Sequence, residues 1–421
     1  MLIPRNLKTQ LLDAAKDTPV VMINGARQTG KSTLMKGLFP AGNSPEFITL
    51  DDFAVLESAR SAPKSFLEQF TNQVIIDEIQ KLPELLLPIK ESIDRNRVPG
   101  KFFLTGSADV LTIPKVSESL AGRIEIHTLW PLSQGELRGV QEAFIDILFS
   151  DEKLPKVKPI EIPELLEIIT AGGYPDVVKR TAENRRTAWF RSYIISVLER
   201  DVRDLSNIEG LKSLPNLLAL IASRTGGLLN MSDLARSFQL TNSTLKRYLV
   251  LLEMVYLVVA LQPWSRNLGK RLVKSPKLFL NDTGLLCHLL ECNATGLEKN
   301  RQLFGFVFEN FVLMELMKQI AWSNTQPKAL HFRTLAGQEV DIVLESRSGK
   351  VVGIECKASS SVKLDSFRGI QALKEQAGMN FHRGIVIYTG SETLRFGEDL
   401  TAIPVSALWE IFSQATPALE G

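Results

Sequence analysis

The tightest constraint on this chain is the run Gly25-Ala26-Arg27-Gln28-Thr29-Gly30-Lys31-Ser32, which satisfies G-x-x-x-x-G-K-[ST] in full. Its context carries the meaning. Val20-Val21-Met22-Ile23 is a short, apolar, β-branched run with the pattern of a buried strand. Ser32 to Phe39 has helical character and stops at Pro40. Strand, glycine loop and helix start therefore follow one another as a phosphate-binding loop requires. Glycines let backbone N–H groups approach phosphate oxygens, and the helix dipole adds positive potential there. On this reading Gly25, Ala26, Arg27, Gln28, Thr29, Gly30, Lys31, Ser32 and Thr33 surround the phosphates of ATP. Lys31 reaches the β- and γ-phosphates and Ser32 ligates Mg²⁺.

A second run supports the first. Val74-Ile75-Ile76-Asp77-Glu78 reads as an apolar strand ending in two acids. Asp77 is placed to hold Mg²⁺ and Glu78 to orient or deprotonate an attacking water. Phe47 to Leu50, Lys101 to Thr105 and Ile124 to Leu129 read as further strands, alternating with helical segments. Five strands in this pattern predict an α/β fold with an open, mostly parallel sheet. Ligands of such sheets sit beyond the carboxyl ends of the strands, where Lys31, Asp77 and Ser107 would converge.

Composition sets outer bounds. The chain has 421 residues, 44% hydrophobic and 23% charged, which excludes disorder as the dominant state. A net charge of +2 excludes a uniformly basic nucleic-acid coat, though not a local basic patch. The cysteines, Cys287, Cys292 and Cys356, are an odd and sparse set that predicts a reducing compartment. Cys287-His288 with Cys292 lacks the fourth ligand of a structural zinc site. The longest apolar stretch, Leu249 to Leu261, is interrupted by Glu253 and falls short of the roughly 20 residues of a membrane span. A cytoplasmic protein with no membrane partner is expected.

The order of phosphate loop, extra strand, Asp-Glu strand and a strand ending Leu104-Thr105-Gly106-Ser107 resembles the AAA+-type branch of P-loop NTPases. The resemblance implies that Ser107 is a polar sensor. It also implies that Arg123, directly before the fifth strand, is an arginine finger acting in a neighbouring subunit, and hence a homo-oligomer. The strand continues as Ala108-Asp109, so only Ser107 is carried over from that stretch. Residues 133–212 read as a helical lid, broken at Gly172-Gly173-Tyr174-Pro175, after a core of residues 1–132. Arg200 or Arg203 would sense the γ-phosphate from this lid.

Residues 213–285 read as a winged helix-turn-helix. Ser232 and Asn242 are the expected N-caps, and Val255 to Leu261 with Leu278 to Leu280 the wing strands. Lys246 and Arg247 lie near the start of the second helix. Arg266, Lys270, Arg271, Lys274 and Lys277 make the wing basic, and Lys246, Arg247, Lys270 and Arg271 are the expected contacts to DNA phosphates.

From residue 300 to 421 the pattern changes. A helix carrying Glu309 precedes strands at Leu330 to Thr334, Glu339 to Leu344 and Val351 to Lys357. Residues i and i+2 of a strand share a face, so Glu355 and Lys357 point together and Cys356 points away. With Asp341 across the hairpin, that face holds two carboxylates and an ammonium. The constellation Glu309, Asp341, Glu355 and Lys357 resembles PD-(D/E)xK, or restriction-endonuclease-like, domains, which implies a Mg²⁺-dependent nuclease site. Ile385 to Tyr388 would add a strand and Val405 to Ser413 a closing helix. The whole combination resembles a prokaryotic group of predicted ATPases. Three functions follow: a DNA-linked ATPase, a nucleotide-dependent assembly or signalling switch on an inactive nuclease-like scaffold, and an ATP-gated nuclease.

Overall fold

The computed structural model describes residues 2–40, 42, 44–108, 120–202, 214–271 and 275–412, without the side chains of Arg200, Leu268 and Lys270. Five strands form the amino-terminal sheet: β1 (Val20–Asn24), β2 (Glu46–Thr49), β3 (Val74–Asp77), β4 (Phe102–Gly106) and β5 (Ile124–Thr128). Every pair in it is parallel, in the order β2-β3-β4-β1-β5. β1, β3 and β4 are buried along their whole length. That explains their continuous apolar sequences, since each packs on both faces. One face meets Phe66, Leu86, Ile89 and Ile93, and the other meets Leu7, Leu11, Leu34 and Met35.

Helices Gln134–Arg138, Phe144–Phe149, Ile162–Ala171, Pro175–Val178 and Glu183–Ser196 follow, and the last continues as a π-helical turn, Val197–Asp201. Then come helices Leu214–Ser223, Met231–Ser237 and Asn242–Met254 and the antiparallel pair β6 (Val258–Leu261) and β7 (Lys277–Leu280). The caps sit one or two residues earlier than the sequence suggests. Asn230 accepts from the Asp233 amide, and Thr241 from the Thr244 amide. β6 begins three residues after the expected Val255, because Val255 N–H still caps the preceding helix and Tyr256 turns with φ +58°.

The carboxyl-terminal unit opens with helix Arg301–Ile320. Its sheet comprises β8 (Lys328–Arg333), β9 (Glu339–Glu345), β10 (Val351–Lys357), β11 (Phe381–Tyr388), β12 (Leu394–Arg395) and β13 (Leu400–Pro404), in the order β12-β13-β11-β10-β9-β8. Helix Arg368–Ala377 covers one face through Ile370 and Leu373. The closing helix is only Ala407–Glu410, and Phe412 then pairs with Glu142. Ser413, its expected end, lies outside the described residues.

One continuous hydrophobic core runs from Phe144 to Ile411, so packing does not divide at residue 212 or 285. Asn310, fully buried, fixes the joint with β7. Its Oδ1 accepts from the Leu280 amide and the Thr225 hydroxyl, and its Nδ2 donates to the Leu280 carbonyl. An unmade buried hydrogen bond costs about 1–3 kcal/mol. Asn310→Leu, close in volume, should therefore lose about 2–4 kcal/mol in urea unfolding. Exposed Lys246→Ala should stay within about 0.5 kcal/mol of the parent.

Candidate functional site: the phosphate loop and its surroundings

The loop after β1 takes conformations its sequence is suited to. Gly25 has φ +141°, and a Cβ there would fall 2.3 Å from the Leu129 carbonyl oxygen. Gly30 has φ +94° and caps helix Lys31–Lys36. Gln28 adopts φ +60° between them. The buried Lys31 ammonium donates to the carbonyls of Gly25 (2.9 Å) and Ala26 (2.8 Å), so it already lies inside the loop. Burial lowers its pKa from 10.5 to about 8.

β3 is the neighbour but one of β1, and its end faces the loop. Ser32 Oγ donates to Asp77 Oδ1 at 2.7 Å, and Thr105 on β4 donates to the same oxygen. A hydroxyl and a carboxylate meeting at this point form a hard-oxygen donor set that suits Mg²⁺. Glu78 follows with φ +60°, held by its amide to Thr105 Oγ1 at 3.2 Å. Gln80 Nε2 donates to Glu78 and also to Ser107 Oγ, 2.8 Å away. Lys31, Ser32, Asp77, Glu78 and Ser107 thus converge.

Arg123 does not join them in the same molecule. Ile124 pairs with Val20, so Arg123 sits at the amino ends of the strands, opposite the loop. Its Nε donates to Asp94 at 2.6 Å. The π-helical turn Val197–Asp201 supplies an acid to the loop: Arg27 Nε donates to both oxygens of Asp201, at 2.7 and 2.8 Å. Burial pushes the Asp201 carboxyl up to about 6 against the pull of Arg27. Arg203 and the Arg200 side chain, the expected lid sensors, lie outside the described residues.

Three contributors escape sequence reading: Gln80, Asp201 and Arg5. Arg5, far from any motif, donates to the Thr29 carbonyl (2.7 Å), the Trp130 carbonyl (2.6 Å) and Glu136 (3.0 Å). It ties the outside of the loop to the exit of β5. Beside it a cavity of about 460 Å³ is lined by Leu2, Ile3, Pro4, Thr33, Leu132 and Pro175, among others. It adjoins Gly30 and is apolar enough for a flat aromatic group.

Of the basic residues between β6 and β7, Arg266 is exposed as expected, whereas Arg271 and Lys277 are not. Arg271 grips Glu345 with two bonds, 2.6 and 2.8 Å, and is mostly buried. Its guanidinium is committed within the chain and does not face solvent phosphate. Lys277 is buried among acids of the carboxyl-terminal unit. The Lys270 side chain and Lys274 lie outside the described residues. Lys246 and Arg247 are exposed on helix Asn242–Met254.

In the carboxyl-terminal unit, Lys357 Nζ donates to Glu355 at 2.8 Å, and the Cys356 amide donates to Asp341 at 2.9 Å. Glu309 lies with Asp341 and Glu339 around Lys277. Burial, with Asp341 next, raises the Glu309 and Glu355 carboxyls to about 8. Among the described residues no group of three or more His, Cys, Asp or Glu is arranged to hold a metal ion, the expected Glu309, Asp341 and Glu355 set included. No helix of the described residues is long and apolar enough to cross a membrane.

Comparison with known proteins supports the reading of the amino-terminal sheet. Residues 17–138 match a family model described as an AAA domain. Residues 162–296 and 304–408 match two domains of unknown function, DUF8612 and DUF4143. An uncharacterized protein of Mycobacterium tuberculosis is 30% identical over 408 residues, which is 96% of this chain and 84% of that one. The chain belongs to its family. An uncharacterized protein of Methanocaldococcus jannaschii is similar at 21% identity, covering 93% of this chain and 87% of its own. Among solved structures, a RuvB variant of Thermotoga maritima is 19% identical and overlaps 60% of this chain and 88% of its own, at a TM-score of 0.28. The AAA match supports an AAA+-like nucleotide-binding ATPase for this family member.

Lys31 yields a pH prediction. Triphosphate favours the ammonium, and the free protein holds it only below about 8. Affinity for a non-hydrolysable ATP analogue should be flat below that pH and fall by up to about tenfold per unit above it. Isothermal titration across the range should show proton uptake on binding at the alkaline end. Lys31→Met should bind weakly and lose that slope.

Proposed function

We propose that this protein binds ATP and hydrolyses it with Mg²⁺ as an AAA+-type ATPase. The observation that carries the reading is the meeting of Ser32 Oγ with Asp77 Oδ1 at 2.7 Å, beside Lys31 and Glu78. Loop amides between Gly25 and Thr33 cradle the phosphates. The Lys31 ammonium exchanges two carbonyls of its own loop for phosphate oxygens. Ser32 and Asp77 hold the metal, which when bound neutralises phosphate charge. Glu78 accepts the proton of the attacking water or orients it. Gln80, shared between Glu78 and Ser107, sets the carboxylate's direction and is a positioning residue. The apolar cavity beside Arg5 takes the base.

Arg123 reaches a nucleotide only across a subunit boundary, so hydrolysis depends on a homo-oligomer. The parts are an ATPase core, a helical lid, a winged helix over 213–285 and a restriction-endonuclease-like unit over 300–421. The exposed Lys246 and Arg247 support regulation by DNA through the recognition helix. A second reading, an assembly or signalling switch on an inactive scaffold, is favoured by the burial of Lys277 among the terminal acids.

Steady-state hydrolysis tests both. Lys31→Ala should abolish ATP binding, while Glu78→Gln should keep binding and lower turnover by about 10²–10³-fold. The specific rate should rise with protein concentration and collapse in Arg123→Ala. A rate independent of concentration would remove the trans role. Duplex DNA should stimulate the parent and fail with Lys246→Ala/Arg247→Ala; no stimulation of the parent favours the switch.

A further inference from the structure

Two of the acids that resemble a nuclease metal set, Glu309 and Asp341, already enclose a cation of the same chain together with Glu339, while Glu355 pairs with Lys357. Lys277 Nζ lies 2.9 Å from Glu309, 2.5 Å from Glu339 and 3.6 Å from Asp341, and its side chain is 2% exposed. Glu339 and Asp341 are two apart on β9 and share a face, and Glu309 approaches from helix Arg301–Ile320. An ammonium offers three donors and finds three carboxylates. A divalent ion among these oxygens would face a unit positive charge at ion-pair distance, where repulsion is large in a buried site. The residues therefore do not fit a metal while Lys277 is in place.

The backbone keeps it in place. Lys277 opens β7, paired with Leu261 on one side and bridged to Leu228 on the other. Leu280, at the far end of β7, is held by both polar atoms of the Asn310 side chain. The strand partner β6 continues into a second clamp, in which the Trp264 amide donates to the His331 carbonyl and Trp264 Nε1 to Glu345 at 3.1 Å. Withdrawing Lys277 would mean dismantling this joint.

We infer that the carboxylate cluster of Glu309, Glu339 and Asp341 is a socket for the ammonium of Lys277, and that the terminal α/β unit docks β6–β7 and cleaves no nucleic acid. The inference stands apart from nucleotide use and survives if the ATPase reading fails. The test uses the full chain without nucleotide. Mn²⁺ binding is followed by electron paramagnetic resonance, and thermal unfolding is recorded with and without Mn²⁺. The parent should bind no Mn²⁺ through these acids, so Asp341→Asn should leave Mn²⁺ binding and any Mn²⁺ effect on melting as they are in the parent.

Lys277→Met strands buried carboxylates and should lower Tm by roughly 10 °C. Mn²⁺ should recover part of that loss. Lys277→Met/Glu309→Gln removes one stranded charge and should recover part of it without metal, which keeps the test open if the single variant does not fold. The inference is overturned if the parent binds Mn²⁺ and Asp341→Asn abolishes that binding. Metal-dependent plasmid cleavage by the parent that is lost in Asp341→Asn overturns it too, as does an unchanged Tm in Lys277→Met.

Discussion

A helix buried on every side must find a partner for each polar group it carries, and helix Arg301–Ile320, continuously buried from Val307 to Leu316, carries several. Glu309, Asn310, Glu315, Lys318 and Gln319 are all buried. Together they meet three separate parts of the chain. Glu309 meets Lys277 and Asn310 meets β7. Lys318 donates to the Leu132 carbonyl just past the first sheet, and Glu315 accepts from the Gln134 amide. Gln319 donates to the Leu408 carbonyl in the last helix. Apolar burial alone would permit this helix to slide or turn. An unpaired buried polar group is costly, so these bonds oppose any such shift, although Gln319 Oε1 is left without a hydrogen-bond partner.

That register positions the phosphate loop relative to the rest. Leu132 is tied to Lys318, and Arg27 to Asp201 at the end of the π-helical turn. Buried hydroxyls continue inward from there. Tyr193 lies 3.4 Å from the Arg27 carbonyl and 2.8 Å from Tyr174, which accepts from Asn281 directly after β7. The loop, the lid and the β6–β7 pair are thus in physical contact through short polar contacts.

The readable parts were local in origin. Gly25 and Gly30 sit where the backbone needs them, and Asp77 ends the strand that its apolar run announced. Glu355 and Lys357 share a face because strand geometry allows nothing else. What escaped was long-range. Gln80 bridges Glu78 and Ser107 across two strands, and Arg5 reaches 131 positions to Glu136. The basic run from Arg266 to Lys277 reads as a solvent-facing wing because charge without a visible partner suggests exposure. Glu345 and Glu309, its partners at Arg271 and Lys277, lie 74 and 32 positions away.

The sequence by itself determined the phosphate loop, the Asp-Glu strand end and the parallel amino-terminal sheet. Each of these follows from spacing within a few residues, where side-chain period and backbone freedom are fixed by covalent geometry. Tertiary structure alone decided which charges face water and which face each other. An ammonium or a guanidinium is the same group in either place, and its role is set by what the fold brings within about 3 Å of it. Lys31 is parked between loop carbonyls and placed for phosphate, whereas Lys277 is enclosed by carboxylates of its own chain. The two lysines differ in neighbours, and those neighbours come from distant parts of the sequence.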